Sequence, residues 1–360
     1  MGLEELKHKY KIEVLREGTA VSSKFRLRSG VWSFDLVSGG GFWIGRPTMV
    51  WGPRSSGKTT LLAKAIASFQ RLCMRCWTRD CKCKNKLRGI TVRLDSETDT
   101  NFDWSRKMGV NVDEAIFQPY RMNTIEETLD VACGVLEDDR VGLLIIDTIA
   151  MGAQEAELDP KFSVADSTHA SRSQTITRWT RKMNQAIGRE LARDHYFVLV
   201  IVNQARANMQ VSYGGGPTLM APGAKALEHF CPYIVRLMPL NPIYAEGEKR
   251  DEVPPLASVT SIEVTRNKVC LSPVAGRYEI MLREKRGYPP VGHPNEWDHV
   301  LNVGQQVGYI GKNGSGWKCG QKTVPKKESI QRMWASNPDV YWEDSGAILE
   351  LALEHMRRPS

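Results

Sequence analysis

The chain of 360 residues contains no apolar run approaching the ~18–20 residues that cross a bilayer, so no membrane-spanning helix and no membrane partner are expected. Its first residues, Met1-Gly2-Leu3-Glu4-Glu5-Leu6-Lys7, are charged and lack the apolar core of a secretory leader. Leu6 stands where a myristoylation signal needs Ser or Thr, which removes that reading of Met1-Gly2. There is no internal repeat, no low-complexity tract and no evenly spaced cysteine framework. Four of the eight cysteines crowd between positions 73 and 83, and the others are scattered, which fits a reducing, cytoplasmic setting better than a disulfide scaffold.

What is present is the composition of a folded globular protein, 41% hydrophobic and 25% charged, on a length that suits one large unit and one small. The formal net charge of +8 suits a polyanionic partner, although excess Lys and Arg is equally the mark of a solvated surface.

The most specific signal is Gly52-Pro53-Arg54-Ser55-Ser56-Gly57-Lys58-Thr59-Thr60. It follows the apolar run Pro47–Trp51 and opens a helical pattern from Leu61 to Gln70. This is the strand, loop and helix context of a phosphate-binding P-loop. Its glycines allow the backbone to curl, its N–H groups converge on an anion, Lys58 reaches the terminal phosphates, and the Thr59 hydroxyl is a ligand for Mg²⁺. A nucleoside triphosphate is the expected ligand.

From about 31 to 287 strand and helix patterns alternate. Strands are expected at Pro47–Trp51, Ile90–Leu94, Ala115–Gln118, Leu143–Asp147, Phe197–Asn203 and Ile234–Met238, with helices over 59–72, 124–137 and 170–194. Such alternation predicts an α/β fold with a mostly parallel twisted sheet, whose ligands collect at the carboxyl ends of the strands. Pro289-Pro290 and Gly292-His293-Pro294 mark a boundary, followed by a small α+β unit over 288–360. There a hairpin over Val307–Ile310 and Trp317–Cys319 precedes helices at 326–336 and 343–357. Residues 1–30 form a short basic N-terminal segment with a weak stripe at Leu3, Leu6 and Tyr10.

Three strand ends carry chemistry. Asp147 closes Leu143–Asp147 and is suited to the magnesium shell, directly or through water; by itself it also fits a strand-end turn. Asp95-Ser96-Glu97 follows Ile90–Leu94, where Glu97 can orient or deprotonate a water for attack on a γ-phosphate, or can be one acid of a solvated loop. Asn203-Gln204 ends Phe197–Asn203 and precedes a long Gly-rich segment to Gly223. A second long polar loop follows Asp147. Both loops leave the nucleotide edge, a physical route by which phosphate state at Gln204 moves the root of a binding loop.

These residues, in this order and spacing, resemble the bacterial RecA recombinases. The resemblance is carried by Gly52–Thr60, Asp95-Ser96-Glu97, Ile145-Ile146-Asp147-Thr148 and Val202-Asn203-Gln204-Ala205-Arg206, and it extends from Ser29 through Gly45 and to Gly316-Trp317-Lys318 and Trp334–Pro338. It implies a RecA-like P-loop NTPase core over 31–287, an N-terminal oligomerisation segment and a small C-terminal domain. It further implies an ATPase, using ATP and Mg²⁺, that forms homo-oligomeric helical filaments on single-stranded DNA and exchanges strands with homologous double-stranded DNA. Glu97 would be the catalytic carboxylate, Gln204 the allosteric glutamine, and Trp104 the aromatic that stacks on adenine. The segment 153–168 would be a first DNA-binding loop and 205–223 a second, with Arg206, Met209, Tyr213 and Gly223 in the latter and Met209 and Tyr213 as wedges between bases. Arg172, Arg178 and Arg181 are candidate phosphate contacts or solvated helical charges. Arg266 and Lys268 would reach the γ-phosphate of a neighbouring subunit, as arginine fingers do. A hexameric helicase or translocase on the same core, and a non-catalytic accessory protein, are the rival readings.

The sequence departs from that family in Arg54, which replaces an acid, in Glu228 and His229, and in its end, Met356-Arg357-Arg358-Pro359-Ser360, which has no acidic tail. It also carries an apparent insertion over 71–89, Cys73-x2-Cys76-x4-Cys81-x-Cys83. Four soft ligands so close suit tetrahedral Zn²⁺, against the alternative of four free thiols. The insertion enters Ile90–Leu94 at its amino end, away from the nucleotide edge, so a structural metal is expected. It is also basic, with Arg71, Arg75, Arg79, Lys82, Lys84, Lys86 and Arg88 against Asp80.

Overall fold

The computed structural model describes residues 25–98, 100–149, 152–158, 169–207, 219–220, 225–250, 252–270 and 272–357. Met209, Tyr213, Gly223 and the N-terminal segment before Phe25 lie outside the described residues.

The central sheet has eight strands: β3 (Thr48–Gly52), β4 (Ile90–Asp95), β5 (Phe117–Arg121), β6 (Val141–Asp147), β7 (Val198–Gln204), β10 (Tyr233–Ile243), β11 (Ala257–Asn267) and β12 (Ala275–Met281). Their order is β12-β11-β10-β3-β7-β6-β4-β5. The six from β10 to β5 run parallel, and β11 and β12 extend one side antiparallel. The parallel strands read as nearly unbroken apolar runs because both faces are covered. In β6, Leu143 and Ile145 join one core cluster while Leu144 and Ile146 join the other.

Helices α1 (Trp32–Val37) and α2 (Lys58–Phe69) pack on the first face. Helices α4 (Ile125–Val135), α5 (His169–Ala192) and α6 (Lys225–Phe230) cover the second, and α3 (Phe102–Lys107) follows the carboxyl end of β4. Helix α5 buries Ile176, Trp179, Met183, Ala186 and Ile187, the three-and-four spacing of an amphipathic helix. Helix α4 is fixed at its start, where Thr124 accepts from Glu127 N at 3.1 Å and Glu127 accepts from Asn123 N at 3.0 Å. Two short antiparallel pairs stand apart from the central sheet: β1 (Arg26–Leu27) with β2 (Phe42–Trp43), and β8 (Arg206–Ala207) with β9 (Leu219–Met220).

The expected parallel strands and the three long helices are all present, with bounds shifted by a few residues. The antiparallel β11 and β12 are additional to them. The α+β C-terminal unit is also seen: α7 (Trp297–Gln306), a three-stranded sheet of β13 (Ile310–Asn313), β14 (Gly316–Cys319) and β15 (Lys322–Val324), then α8 (Glu328–Ser336) and α9 (Pro338–Arg357). The first hairpin strand lies later than expected: Val307 caps the end of α7, and pairing starts at Ile310.

This unit is bound to the core by buried polar contacts. Glu296 accepts from Trp32 N and Ser33 N, each at 2.7 Å, at the start of α1, and Trp32 Nε1 donates to Ser345 O at 2.9 Å. The Trp32 ring belongs to the C-terminal apolar cluster, with Val300, Ile330, Trp334 and Ile348. Nearby, Asp35 is fully buried, accepts from Ser29 N at 2.7 Å and pairs with Arg28 at 3.5 Å.

Burial pushes the Asp35 carboxyl from 3.8 up to about 7. The folded chain therefore holds a proton that the unfolded chain has released over this interval, so the group's contribution to stability falls as pH rises from about 4 to 7. Asp35→Asn keeps an acceptor for Ser29 N and removes the titration. Urea unfolding measured across that interval should give a flatter pH profile for the variant than for the parent; an unchanged slope would contradict the assignment.

Candidate nucleotide site

Strand β3 ends at Gly52, in register with Gln204 of β7, and Ala205 N donates to Gly52 O at 3.0 Å. A Cβ at Gly52 would lie 2.1 Å from Leu237 O, so only glycine allows this approach to β10. The loop then turns through left-handed conformations at Ser55 (φ 58°) and Gly57 (φ 85°). Helix α2 starts at Lys58 without a side-chain cap, so its first N–H groups are open to an anion. The buried Lys58 ammonium donates to Gly52 O at 3.0 Å and Pro53 O at 2.7 Å. Burial lowers the Lys58 pKa, and the Asp147 and Glu97 carboxylates oppose that shift. A cradle of N–H donors with a cation folded into it fits a phosphate chain.

The acids expected at the strand ends meet here. Asp95 and Asp147 are in register across β4 and β6. Asp95 Oδ1 accepts from Glu97 N at 3.0 Å, and Glu97 Oε1 accepts from Thr148 Oγ1 at 3.1 Å, which fixes the carboxylate. Ser96 Oγ donates to Thr148 O at 2.6 Å and ties the two strand ends together. One cleft of about 470 Å³ is lined by Arg54, Lys58, Thr59, Glu97, Asp147 and Gln204, which brings the expected site residues of four segments into one place.

Sequence reasoning missed Arg93. This buried guanidinium donates to Asp147 Oδ2 at 2.8 Å and lies 3.9 Å from Asp95. Burial pushes the Asp147 carboxyl up to about 6, and Arg93 is the largest influence pulling it back. The available signal was a lone cation inside the otherwise apolar Ile90–Leu94.

A second cavity of about 480 Å³ adjoins the loop, lined by Gly57, Thr60, Trp104, Leu240, Pro242 and Leu282. Asn101 Oδ1 caps α3 by accepting from Trp104 N at 2.9 Å, and Trp104 Nε1 donates to Thr60 Oγ1 at 3.3 Å. The half-buried indole and its apolar neighbours suit a planar base next to the phosphate loop.

Other expected residues are placed elsewhere. Arg172 Nη2 donates to Gly152 O at 2.9 Å and so holds the root of the loop after β6. Arg178 and Arg181 are exposed on α5, and Arg206 lies in β8 at the base of the second loop. Arg266 and Lys268 are not at the cleft. Strand β11 is antiparallel to β10, so its end pairs with the start of β10, where Tyr233 also faces Thr48. The length of β3, roughly 13 Å at 3.3 Å per residue, separates them from the P-loop of their own chain. The cysteines are at that same far edge, where Met74 and Trp77 join the core beside Phe69.

The chain is similar to known proteins. The family model described as the RecA N-terminal domain matches residues 3–285. Protein RecA of Streptococcus thermophilus is 26% identical over 334 residues, covering 92% of this chain and 78% of that relative. Protein RecA of Streptococcus mutans serotype c is 25% identical over 332 residues, covering 91% and 77%. Among solved structures, the crystal structure of the RadB recombinase aligns with a TM-score of 0.47 at 20% identity, over 71% of this chain and 96% of that one.

Arg93→Leu strands a buried carboxylate and should cost about 3–5 kcal/mol in urea-derived stability. The loss should be much smaller when Asp147→Leu is already present. Additive losses in the double variant would show that the two side chains are not coupled.

Proposed function

Because the chain belongs to the RecA family, we propose that it is a DNA-dependent ATPase that assembles as a helical filament on single-stranded DNA in the cytoplasm. There it pairs that strand with a homologous duplex and exchanges strands. The observation that carries this reading is the meeting of Lys58, Glu97, Asp147 and Gln204 in one cleft from which both loops depart.

In this reading ATP is the substrate, its phosphates held by the N–H groups of Gly52–Thr60 and its adenine against Trp104. Lys58 exchanges the Gly52 and Pro53 carbonyls for phosphate oxygens. Thr59 and Asp147 would hold Mg²⁺, which supplies charge neutralisation on the phosphates. Glu97, oriented by Thr148, accepts the proton of a water whose oxygen attacks the γ-phosphorus as the bond to the bridging oxygen of ADP breaks. Gln204 contacts the γ-phosphate and carries its loss to the second loop, since Gly52 and Gln204 are register partners. Arg54, at the mouth of the cleft, adds a cation where the family more often has an acid.

Arg266 and Lys268 complete the site from a neighbouring subunit, in keeping with their distance from their own P-loop. DNA is bound by the loops 153–168 and 205–223, with Arg206, Met209, Tyr213 and Gly223 in the second, and by Arg172, Arg178 and Arg181 along α5. Residues 1–30 serve oligomerisation, 31–287 form the ATPase core and 288–360 the C-terminal domain. The cysteines at 73, 76, 81 and 83 hold structural Zn²⁺, away from the chemistry.

Single-stranded DNA should stimulate hydrolysis. Glu97→Gln should lower that rate by ~10²-fold or more while nucleotide binding persists. Arg266→Ala should also be inactive. Mixing the two inactive variants should restore part of the activity, because one chain contributes Glu97 and its neighbour Arg266. No recovery on mixing would place all catalytic groups within one chain and sink the shared site.

A further inference from the structure

The cysteine segment is more than a metal-sized cluster. Its four Sγ atoms all lie within 4.8 Å of one another, and all four cysteines are free. The edges of a ZnS₄ tetrahedron with 2.3 Å bonds are about 3.8 Å, so small side-chain adjustments close the cluster on an ion. Cys83 N already donates to Cys81 Sγ at 3.2 Å, and Thr78 Oγ1 lies 3.0 Å from Cys76 Sγ.

The two ends of the segment are anchored differently from its middle. Cys73, Met74 and Trp77 are buried, with the Trp77 ring 5.9 Å from Phe69. From Thr78 through Arg88, by contrast, no residue is buried and no helix or regular strand forms. Ordering such a stretch costs roughly 1–2 kcal/mol per residue in backbone entropy, with little hydrophobic burial to offset it. Backbone bonds from Cys73 N to Thr78 O at 3.0 Å and from Met74 N to Leu87 O at 2.9 Å hold its two ends, and metal–thiolate bonds would supply the free energy that fixes the middle.

That same stretch touches the C-terminal unit. Arg79 lies between Cys76 and Cys81, so the fold of the cluster sets its position. Its Nη2 pairs with Asp339 Oδ1 at 2.6 Å, and its guanidinium sits 5.3 Å from the Trp342 ring centre. Arg28 of the core lies 4.1 Å from the same ring and donates to Trp342 O and Ser345 Oγ, each at 3.0 Å. Asp339, Trp342 and Ser345 all lie in the first half of α9. Helix α9 is thus gripped at one point by the core and at a neighbouring point by the cysteine segment.

We propose that Zn²⁺ held by Cys73, Cys76, Cys81 and Cys83 is the brace that locks helix α9, and with it the C-terminal unit, to the ATPase core through Arg79. Binding exchanges the four thiol protons to solvent for four sulfur–metal bonds, fixes the Thr78–Arg88 stretch, and presents Arg79 to Asp339 and Trp342. This rests on the zinc reading above but not on the ATPase reading, since the brace is at the opposite edge of the sheet.

The test uses the full chain, purified without chelator. Elemental analysis should return one zinc per chain. Stripping the metal with a mercurial and a chelator should raise amide exchange at least tenfold both in Thr78–Arg88 and in the first turns of α9. Binding of an ATP analogue should be unchanged. Arg79→Glu should keep its zinc, and so its fold, yet loosen α9 alike; adding Asp339→Arg should restore protection. Absence of zinc overturns the metal site and the brace together. Zinc present, with α9 equally protected in the stripped chain and in Arg79→Glu, overturns the brace and leaves the metal site standing.

Discussion

The pairing of β3 with β7 is the constraint on which the rest of the molecule depends. It places Gly52 beside Gln204 and seals the junction with the bond from Ala205 N to Gly52 O. Because β6 and β4 continue in parallel on the far side of β7, Asp147 and Glu97 reach the same edge. A one-residue slip of β3 would turn its buried side chains to the wrong faces and move the phosphate cradle off the acids. The two layers of apolar side chains that hold this register therefore also hold the cleft.

The buried Arg93–Asp147 pair adds a second constraint. A carboxylate without a partner at that depth would take up a proton, and a guanidinium alone would not be tolerated. Together they keep charge available at the strand end. Glu97, held by Thr148 and by the turn at Asp95, is separately positioned. The cleft thus contains one carboxylate steadied by an internal ion pair through Asp147 Oδ2 and one, Glu97, steadied by a hydroxyl, a difference set by which strand each acid ends.

Much of this was legible in the sequence, and the reasons are local. Apolar runs of five to seven residues between helical patterns identify parallel strands, and polar residues at their carboxyl ends identify the site. Glycines at 52 and 57 show where the backbone must pass close to other groups. What was not legible depends on distant partners. Arg93 argues against a buried strand until Asp147, 54 residues later, is seen beside it. Strands β11 and β12 mix Ser, Thr and Glu with apolar residues because their pairing is antiparallel and only partly covered. Glu296 caps a helix 264 residues earlier, and Arg79 meets Asp339 260 residues later. The placement of Arg266 and Lys268 at the far edge follows from the direction of β11, which residue pattern alone does not give.

The two edges of the sheet consequently have different tasks. The carboxyl edge gathers the proposed nucleotide site and the roots of both long loops, while the amino edge carries the cysteine segment and the basic end of β11. A subunit so built has its phosphate cradle on one side and its proposed trans-acting cations on the other, which is the arrangement of a head-to-tail polymer. Electron microscopy of the full chain with single-stranded DNA and a non-hydrolysable ATP analogue tests this most directly. Open helical filaments on the DNA that require both ligands are expected. Closed rings, or subunits that remain unassembled with both ligands present, would contradict it.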